Sequence, residues 1–422
     1  MKNSFGRIIV CILVFFSTGA ITGIYSGQEA LTQGTTAAAS NVGLEIFFGC
    51  IYAVLLAFLF TERHRALTLL WREKWMTLFI LFAMLSTAWS ISPEETFRRS
   101  LGLLGTTLAG LYIAMHFEPK QQVRIISACV VLAGVLSIVL YVMWPKIALT
   151  PDGYLQGVFF QKNTLGRIMC LGILCLVFVA VGHRKNRMAA LFAIPLCIGL
   201  LAVTGSVTAM LVTGGLILLV PFVPVIRWPA GRLVAFCAAA AAVLIPVAIL
   251  IVANAETVLR TLGKESTLTG RLPLWRLVRD EIATMPFVGH GYAVFWASAT
   301  ADRFRQALRW DVMNSHNLFL EMLLGLGFLG LIIFLIGLLR NFILAFRIAR
   351  AGEGIDSVWP LFFLIFCLLW DITDSTLFIN NSVFWLFYTA TAFYVVEQNA
   401  YLKAEAREEY EVPEALGEPL PS

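Results

Sequence analysis

The sequence predicts an all-α, polytopic integral membrane protein of about twelve transmembrane helices, and three observations predict it. Of the 422 residues, 59% are hydrophobic and only 14% are charged. Mean hydropathy is +0.82. The apolar residues fall in long continuous runs. Soluble domains carry about 25% charged residues, and a soluble chain of this size could not enclose so much apolar surface in one or two cores. A soluble enzyme, a disordered chain and a secreted disulfide scaffold are therefore excluded. Continuous runs also exclude an outer-membrane barrel, whose segments are short and alternating.

The runs are 8–25, 42–60, 75–89, 100–117, 125–144, 164–182, 188–204, 208–226, 233–252, 317–339, 356–373 and 379–396. About 20 apolar residues cross the roughly 30 Å hydrocarbon layer as a helix, so each run is assigned one span. Run 8–25 is read as a retained first helix rather than a cleaved signal peptide. Orientation follows from Lys and Arg. With the N-terminus in the cytoplasm, five connections on that side carry Arg63/Arg65/Arg72/Lys74, Lys120/Arg124, Arg184/Lys185/Arg187, Arg227/Arg232 and Arg340/Arg347/Arg350. The short outward connections hold only Arg98, Arg99, Lys146 and Lys162, with Arg167 just inside a helix. Both termini come out cytoplasmic.

Residues 1–396 form the transmembrane unit, and 397–422 an acidic cytoplasmic tail. The tail holds seven acids and two bases, a net −5, so the rest of the chain is about +10 against the overall +5. In a membrane protein that excess is a topology signal, and no nucleic-acid partner is expected. The tail is expected to be a fraying helix that passes into disorder. All eight cysteines sit inside apolar runs, which predicts small hydrophobes in lipid-embedded helices rather than disulfides or a zinc site.

Residues 253–316 break the pattern of short connections. This long periplasmic loop carries Arg260, Lys264, Arg271, Arg276, Arg279, Arg303, Arg305 and Arg309; long loops escape the positive-inside rule. Leu272–Met285 reads as a helix with Pro273 in its first turn and a stripe of Trp275, Val278, Ile282 and Met285. A second short helix is expected near Ala299–Trp310, with Phe304 and Leu308 on one side. The loop is read as a small folded cap.

Charge inside a membrane costs about 2.5–3.5 kcal/mol per group, so its location is informative. Glu45, Arg98, Arg99, Arg167, Glu321, Asp371 and Asp374 all fall near the outward ends of their runs. A proton or ion relay needs charge at the midplane; this arrangement instead describes a polar chamber under the cap. Of five histidines, only His290 and His316 face outward. His316 opens the span at 317–339, whereas His290 lies in a glycine-flanked turn, and neither has metal-ligand spacing to a partner. No cofactor and no metal are expected.

An outward-facing site has no ATP, so synthesis there needs an activated donor. A membrane-borne polyprenyl diphosphate suits an arginine-rich chamber, because guanidinium forks bind its oxygens bidentately and stabilise the leaving diphosphate. A neutral histidine in that positive field suits a general base. Asn163 and Arg167, one turn apart, point the same way.

Several segments carry a resemblance. They are Gly157-Val-Phe-Phe-Gln-Lys-Asn-Thr-Leu-Gly166, Thr269-Gly-Arg-Leu-Pro-Leu-Trp275 with Gly289-His-Gly-Tyr-Ala-Val-Phe-Trp296, and Ser315-His-Asn-Leu-Phe-Leu-Glu-Met-Leu-Leu-Gly-Leu-Gly327. Thr87-Ala-Trp-Ser-Ile-Ser-Pro93 joins them. Together they resemble the O-antigen ligase and polymerase superfamily, most of all its exopolysaccharide-polymerase branch.

The resemblance implies a metal-independent glycosyltransferase of the bacterial inner membrane. Its donor would be an undecaprenyl-diphosphate-linked oligosaccharide, transferred with inversion at the periplasmic face. Carried over by motif, Arg271 is the diphosphate-binding arginine and His316 the histidine that activates the acceptor hydroxyl or orients the leaving group. Lys162 and Asn163 belong to the donor site. The candidate substrate-binding set also includes Arg167, Arg98, Arg99, Trp275, Asn317 and Glu321. Relatives often have Arg or Lys after the Ser of Thr204-Gly-Ser-Val-Thr-Ala209, but this chain has Val207. Either one diphosphate contact is then missing, or Arg167, Arg98 or Arg99 replaces it. Membrane lipids and other polysaccharide export and chain-length proteins are the further partners expected. A polymerase is favoured; a ligase moving glycan to lipid-A core and a lipid-linked glycan transporter are the alternatives.

Overall fold

The computed structural model describes residues 2–22, 42–253 and 267–416. These residues are helical, with one bridge between extended positions, Leu149 and Leu155. In chain order the helices are α1 (Lys2–Ser17), α2 (Val42–Thr61), α3 (Arg63–Arg72), α4 (Lys74–Leu85), α5 (Pro93–His116), α6 (Pro119–Met143), α7 (Lys162–Gly182) and α8 (Arg187–Val203). There follow α9 (Val207–Leu219), α10 (Ala230–Ala253), α11 (Thr267–Ile282), α12 (Ala299–Leu308), α13 (Leu318–Ala351), α14 (Trp359–Asp371) and α15 (Val383–Leu416). Each of the twelve apolar runs falls on one of these helices. Among the described residues six helices are long and apolar enough to cross a membrane: Gly43–Thr61, Pro119–Met143, Lys162–Gly182, Arg184–Val203, Val207–Arg227 and Leu318–Ala351.

Local chemistry sets the boundaries. Pro93 and Pro119 occupy first turns, where a missing N–H costs nothing. Glu118 and Gln121 form a reciprocal capping box on α6. Of the six membrane-length helices, α7 is the most enclosed, packed by α6, α8 and α9, with Leu165, Ile168, Met169 and Leu171 fully buried. Helix α15 lies against α5 and α13. Gly110 allows its close approach, since a Cβ there would collide with Thr389. The outer surface is apolar: Val142, Phe192, Leu211 and Leu218 are each at least 70% exposed. Large side chains of this kind belong against lipid, not water.

Polar contacts gather at the two ends of the bundle. At one end Arg65 pairs with Glu397, His116 with Glu62 and Arg340 with buried Glu73. At the other, Arg98 pairs with Glu45 and Arg167 with Asp374. The cap sits at this second end. Its core of Leu274, Val278, Ile282, Phe295, Trp296 and Phe304 is separate from the main one, and Leu324 of α13 closes it.

Four expectations change. Helix α11 is already formed at Thr267, so Pro273 lies inside it and leaves the Thr269 carbonyl without its helical partner. Residues 63–72 form a helix with Ala66 and Leu69 buried, where the basic cluster alone suggested a connection. Helix α13 runs on to Ala351, which puts Arg340 inside a helix and in an ion pair. No break separates the tail at 396, because α15 continues to Leu416. Arg260 and Lys264 lie outside the described residues.

A backbone clasp fastens the cap to α13. The His290 and Gly291 amides donate to the Leu324 and Gly325 carbonyls, and the Phe328 and Leu329 amides to those of Pro286 and Phe287. Gly327, at φ 64 and ψ −168, kinks α13 here. That region is essentially reserved for glycine, and a Cβ at Gly327 would strike the Phe287 backbone.

Candidate functional site

Four segments converge where the cap meets the bundle: the start of α7, helix α11, the turn 314–317, and the turn after α14. Asp374 is their hub. Its carboxylate accepts from Arg167 at 2.7 Å and from the Trp370 indole at 3.3 Å. The same carboxylate acts electrostatically on Arg271 and on His316. Asp371 shapes the turn that presents it, accepting from the Thr376 hydroxyl and from the Thr376 and Leu377 amides. Arg167 also lies over the Phe384 ring, 5.1 Å from its centroid.

Arg271 is half-buried, and burial lowers its pKa below the ordinary guanidinium value, with Asp374 opposing. Burial likewise lowers the His316 pKa; Arg271 pushes the same way and Asp374 the other. The neutral imidazole is thus the favoured form. His316 has left-handed backbone, φ 51, held by its amide donating to the Asn314 side chain at 2.8 Å. Its ring stacks on Trp310, 5.8 Å between centroids and 18° between planes.

Three candidates support this centre. Trp275 donates from its indole to the Ser315 carbonyl at 2.9 Å. Glu321 is buried, accepting from the Trp296 indole at 2.6 Å and the Ser315 amide at 2.8 Å. Asn317 caps α13 through the Leu320 amide and donates to the Ile372 carbonyl, both at 3.0 Å. Trp275 and Glu321 thus tie the turn at Ser315 to α11 and to Trp296, and Asn317 ties it to the end of α14.

Lys162 and Asn163 open α7 one turn before Arg167. The Lys162 ammonium sits 3.5 Å from the centre of the Tyr154 ring, and Asn163 is exposed. The turn 204–209 packs on the same end of α7, since a Cβ at Gly166 would touch Ser206, Ala209 and Thr204. Arg98 and Arg99 stand apart. Arg98 pairs with Glu45 and Glu95, and Arg99 with Glu95 and the Ala293 carbonyl. The expected single chamber is therefore two polar sites.

His290 is buried. One ring nitrogen meets the Leu324 carbonyl at 3.0 Å, and the other lies 3.2 Å from both Thr284 and Glu281. It belongs to the clasp. Asp374, by contrast, is central yet absent from the sequence-derived site set. The signal for it was a charge beside an apolar run, shared with six other residues.

A bundle of apolar helices, capped at one end over an arginine–aspartate–histidine cluster, defines a multi-pass membrane protein with its polar site at a helix-end surface. Residues 192–335 match the family model described as O-Antigen ligase, a match over about a third of the chain. A relative, the "Exopolysaccharide production protein ExoQ" of Rhizobium meliloti (strain 1021), is 28% identical over 285 residues. That match covers 64% of this chain and 64% of the relative, under two thirds of its length. The family segment contains Arg271, Trp275, His316, Asn317 and Glu321; Lys162, Asn163, Arg167 and Asp374 lie outside it.

Proposed function

We propose that the protein polymerises polysaccharide repeat units at the periplasmic face of a bacterial inner membrane, taking its donor as an undecaprenyl-diphosphate-linked oligosaccharide. The observation that carries this reading is the convergence of Arg271, Arg167 and a half-buried His316 around one carboxylate. In the reaction the acceptor hydroxyl oxygen attacks the anomeric carbon. The bond from that carbon to the diphosphate oxygen breaks, and the configuration inverts. Neutral His316 takes the hydroxyl proton. Arg271 and Arg167 hold the departing diphosphate, whose two fixed guanidinium partners strengthen as charge grows on it. Asp374 balances the arginines before the donor arrives.

The name of the R. meliloti relative favours exopolysaccharide synthesis, and so polymerisation. The O-Antigen ligase segment supports a second reading, transfer of glycan to a lipid-A core. Full-length protein in vesicles, given the lipid-linked repeat unit with and without lipid-A core, tests both. Polymer from the donor alone supports the polymerase. Product only with the core supports the ligase. Movement of intact donor across the bilayer without transfer overturns both.

A further inference from the structure

A second polar cleft, of about 640 Å³, lies at the capped end between α2, α5, the residues before α15, and the cap. Arg167, Arg271, His316 and Asp374 do not line it. Glu45, Phe48, Gly49 and Tyr52 supply one wall; their three- and four-residue spacing puts them on one face of α2. Phe48 and Tyr52 stack there, 6.0 Å between centroids. Glu95, Arg98 and Arg99 supply the facing wall, and Asn380 and Asn381 the end.

The charges of this cleft cancel. Glu45 and Glu95 engage Arg98, and Glu95 also engages Arg99. A diphosphate would have to compete with two carboxylates for both guanidinium groups. A neutral polyhydroxylated ligand would not, since hydroxyls both donate to carboxylate oxygens and accept from guanidinium N–H. The amides suit the same ligand. Asn381 Oδ1 accepts from the Tyr52 hydroxyl at 2.6 Å and the Thr106 hydroxyl at 3.2 Å, which fixes the amide. Asn380 reaches in over Gly102, where a Cβ would lie 2.5 Å from its Nδ2. Phe48 is buried and backs the half-buried Tyr52 ring, which beside paired charges and oriented amides gives a sugar an apolar surface and polar edges to contact.

We infer that this cleft binds the sugar portion of the acceptor, which in the polymerase reading is a second lipid-linked repeat unit, between Tyr52 and the Glu45–Arg98–Glu95–Arg99 array, with the acceptor's own diphosphate outside the cleft. The inference deepens the polymerase reading and rests on it for the acceptor role. It reassigns Arg98 and Arg99 from the donor diphosphate to the acceptor. The cleft adjoins the cap through Ala297 and the Arg99–Ala293 contact, so a bound chain would leave its end at the cap.

Gly49 supplies the test, because nothing lies within 4 Å of a Cβ built there. Gly49→Trp should obstruct the cleft, its Cβ meeting no neighbour, and Asn380→Ala should remove one amide. The probe is the oligosaccharide released by mild acid from the host's polyprenyl-linked pool and freed of phosphate, titrated into full-length protein in detergent. Wild type should bind it, Gly49→Trp and Asn380→Ala at least tenfold more weakly, and Arg271→Ala as wild type. Undecaprenyl diphosphate should bind Gly49→Trp as it binds wild type. Gel filtration checks folding, and Asn380→Ala carries the test if Gly49→Trp is misfolded. Failure of wild type to bind the saccharide, unchanged binding by the folded variants, or loss of binding in Arg271→Ala would each overturn the inference. Saccharide binding without polymer formation in vesicles would instead sink the polymerase reading and leave the cleft standing.

Discussion

Asp374 sets the chemistry of its neighbours at the scale of single residues. It holds Arg167 and opposes the effect of burial on both Arg271 and His316. Because the His316 pKa is lowered, the imidazole stays neutral to lower pH than a free histidine, whose pKa is about 6.5. Transfer should therefore be flat near neutral pH and fall on acidification, with a midpoint below that value. Removing the opposing charge in Asp374→Asn should move the midpoint lower still; a shift upward would contradict the arrangement. His316→Asn is the cleaner replacement, since Asn tolerates the left-handed backbone that Ala does not. It should fold normally and lose about 10²–10⁴-fold in rate, the usual loss with a general base. Wild-type turnover in that variant would exclude His316 as the base. Arg271→Ala should abolish transfer, and Arg271→Lys should recover only part, because an ammonium lacks the planar fork. Full recovery with Lys would mean that charge alone suffices.

At the scale of elements the clasp between residues 286–291 and 324–329 decides where the cap stands. Gly327→Ala should lower the melting temperature in detergent well below that of Gly354→Ala. Both positions have positive φ, at 64 and 75, but only at Gly327 does a Cβ meet backbone, while at Gly354 nothing lies within 4 Å. Equal melting temperatures would show that the clasp adds nothing. His290→Ala leaves buried partners unsatisfied, at roughly 1–3 kcal/mol, so it should destabilise the cap. The helices were legible in the sequence because lipid burial writes each as an unbroken apolar run. The α11 stripe was legible in the same way, with Val278 and Ile282 in the cap core. The clasp was not, since it joins main-chain groups 34 and 42 positions apart and its only trace is glycine. Nor was the division of the arginines, because Glu45 and Arg98 are 53 residues apart and nothing local records their pairing. Asp374 was hidden for the same reason, its partner Arg167 being 207 residues away.

For the whole molecule, orientation is the remaining variable, and every functional step depends on it. Glu45, Arg98, Arg99, Arg167, Glu321, Asp371 and Asp374 lie at the capped end, while the ion pairs of Arg65 and Arg340 lie at the other. Lys and Arg are concentrated in the connections at that opposite end, which is the end expected in the cytoplasm. The proposed function needs the cap on the periplasmic side, where a lipid-linked donor can be reached and ATP cannot. A phosphatase reporter inserted after Gly263 should be active, because it matures only in an oxidising compartment. A fluorescent protein fused after Ser422 should glow in the cytoplasm. An inactive phosphatase at Gly263, with a fluorescent protein at that same site glowing, would invert the topology. The Arg271–His316–Asp374 cluster would then face nucleotide-borne sugars, and the case for an undecaprenyl-diphosphate donor would fail even with every contact in the site unchanged.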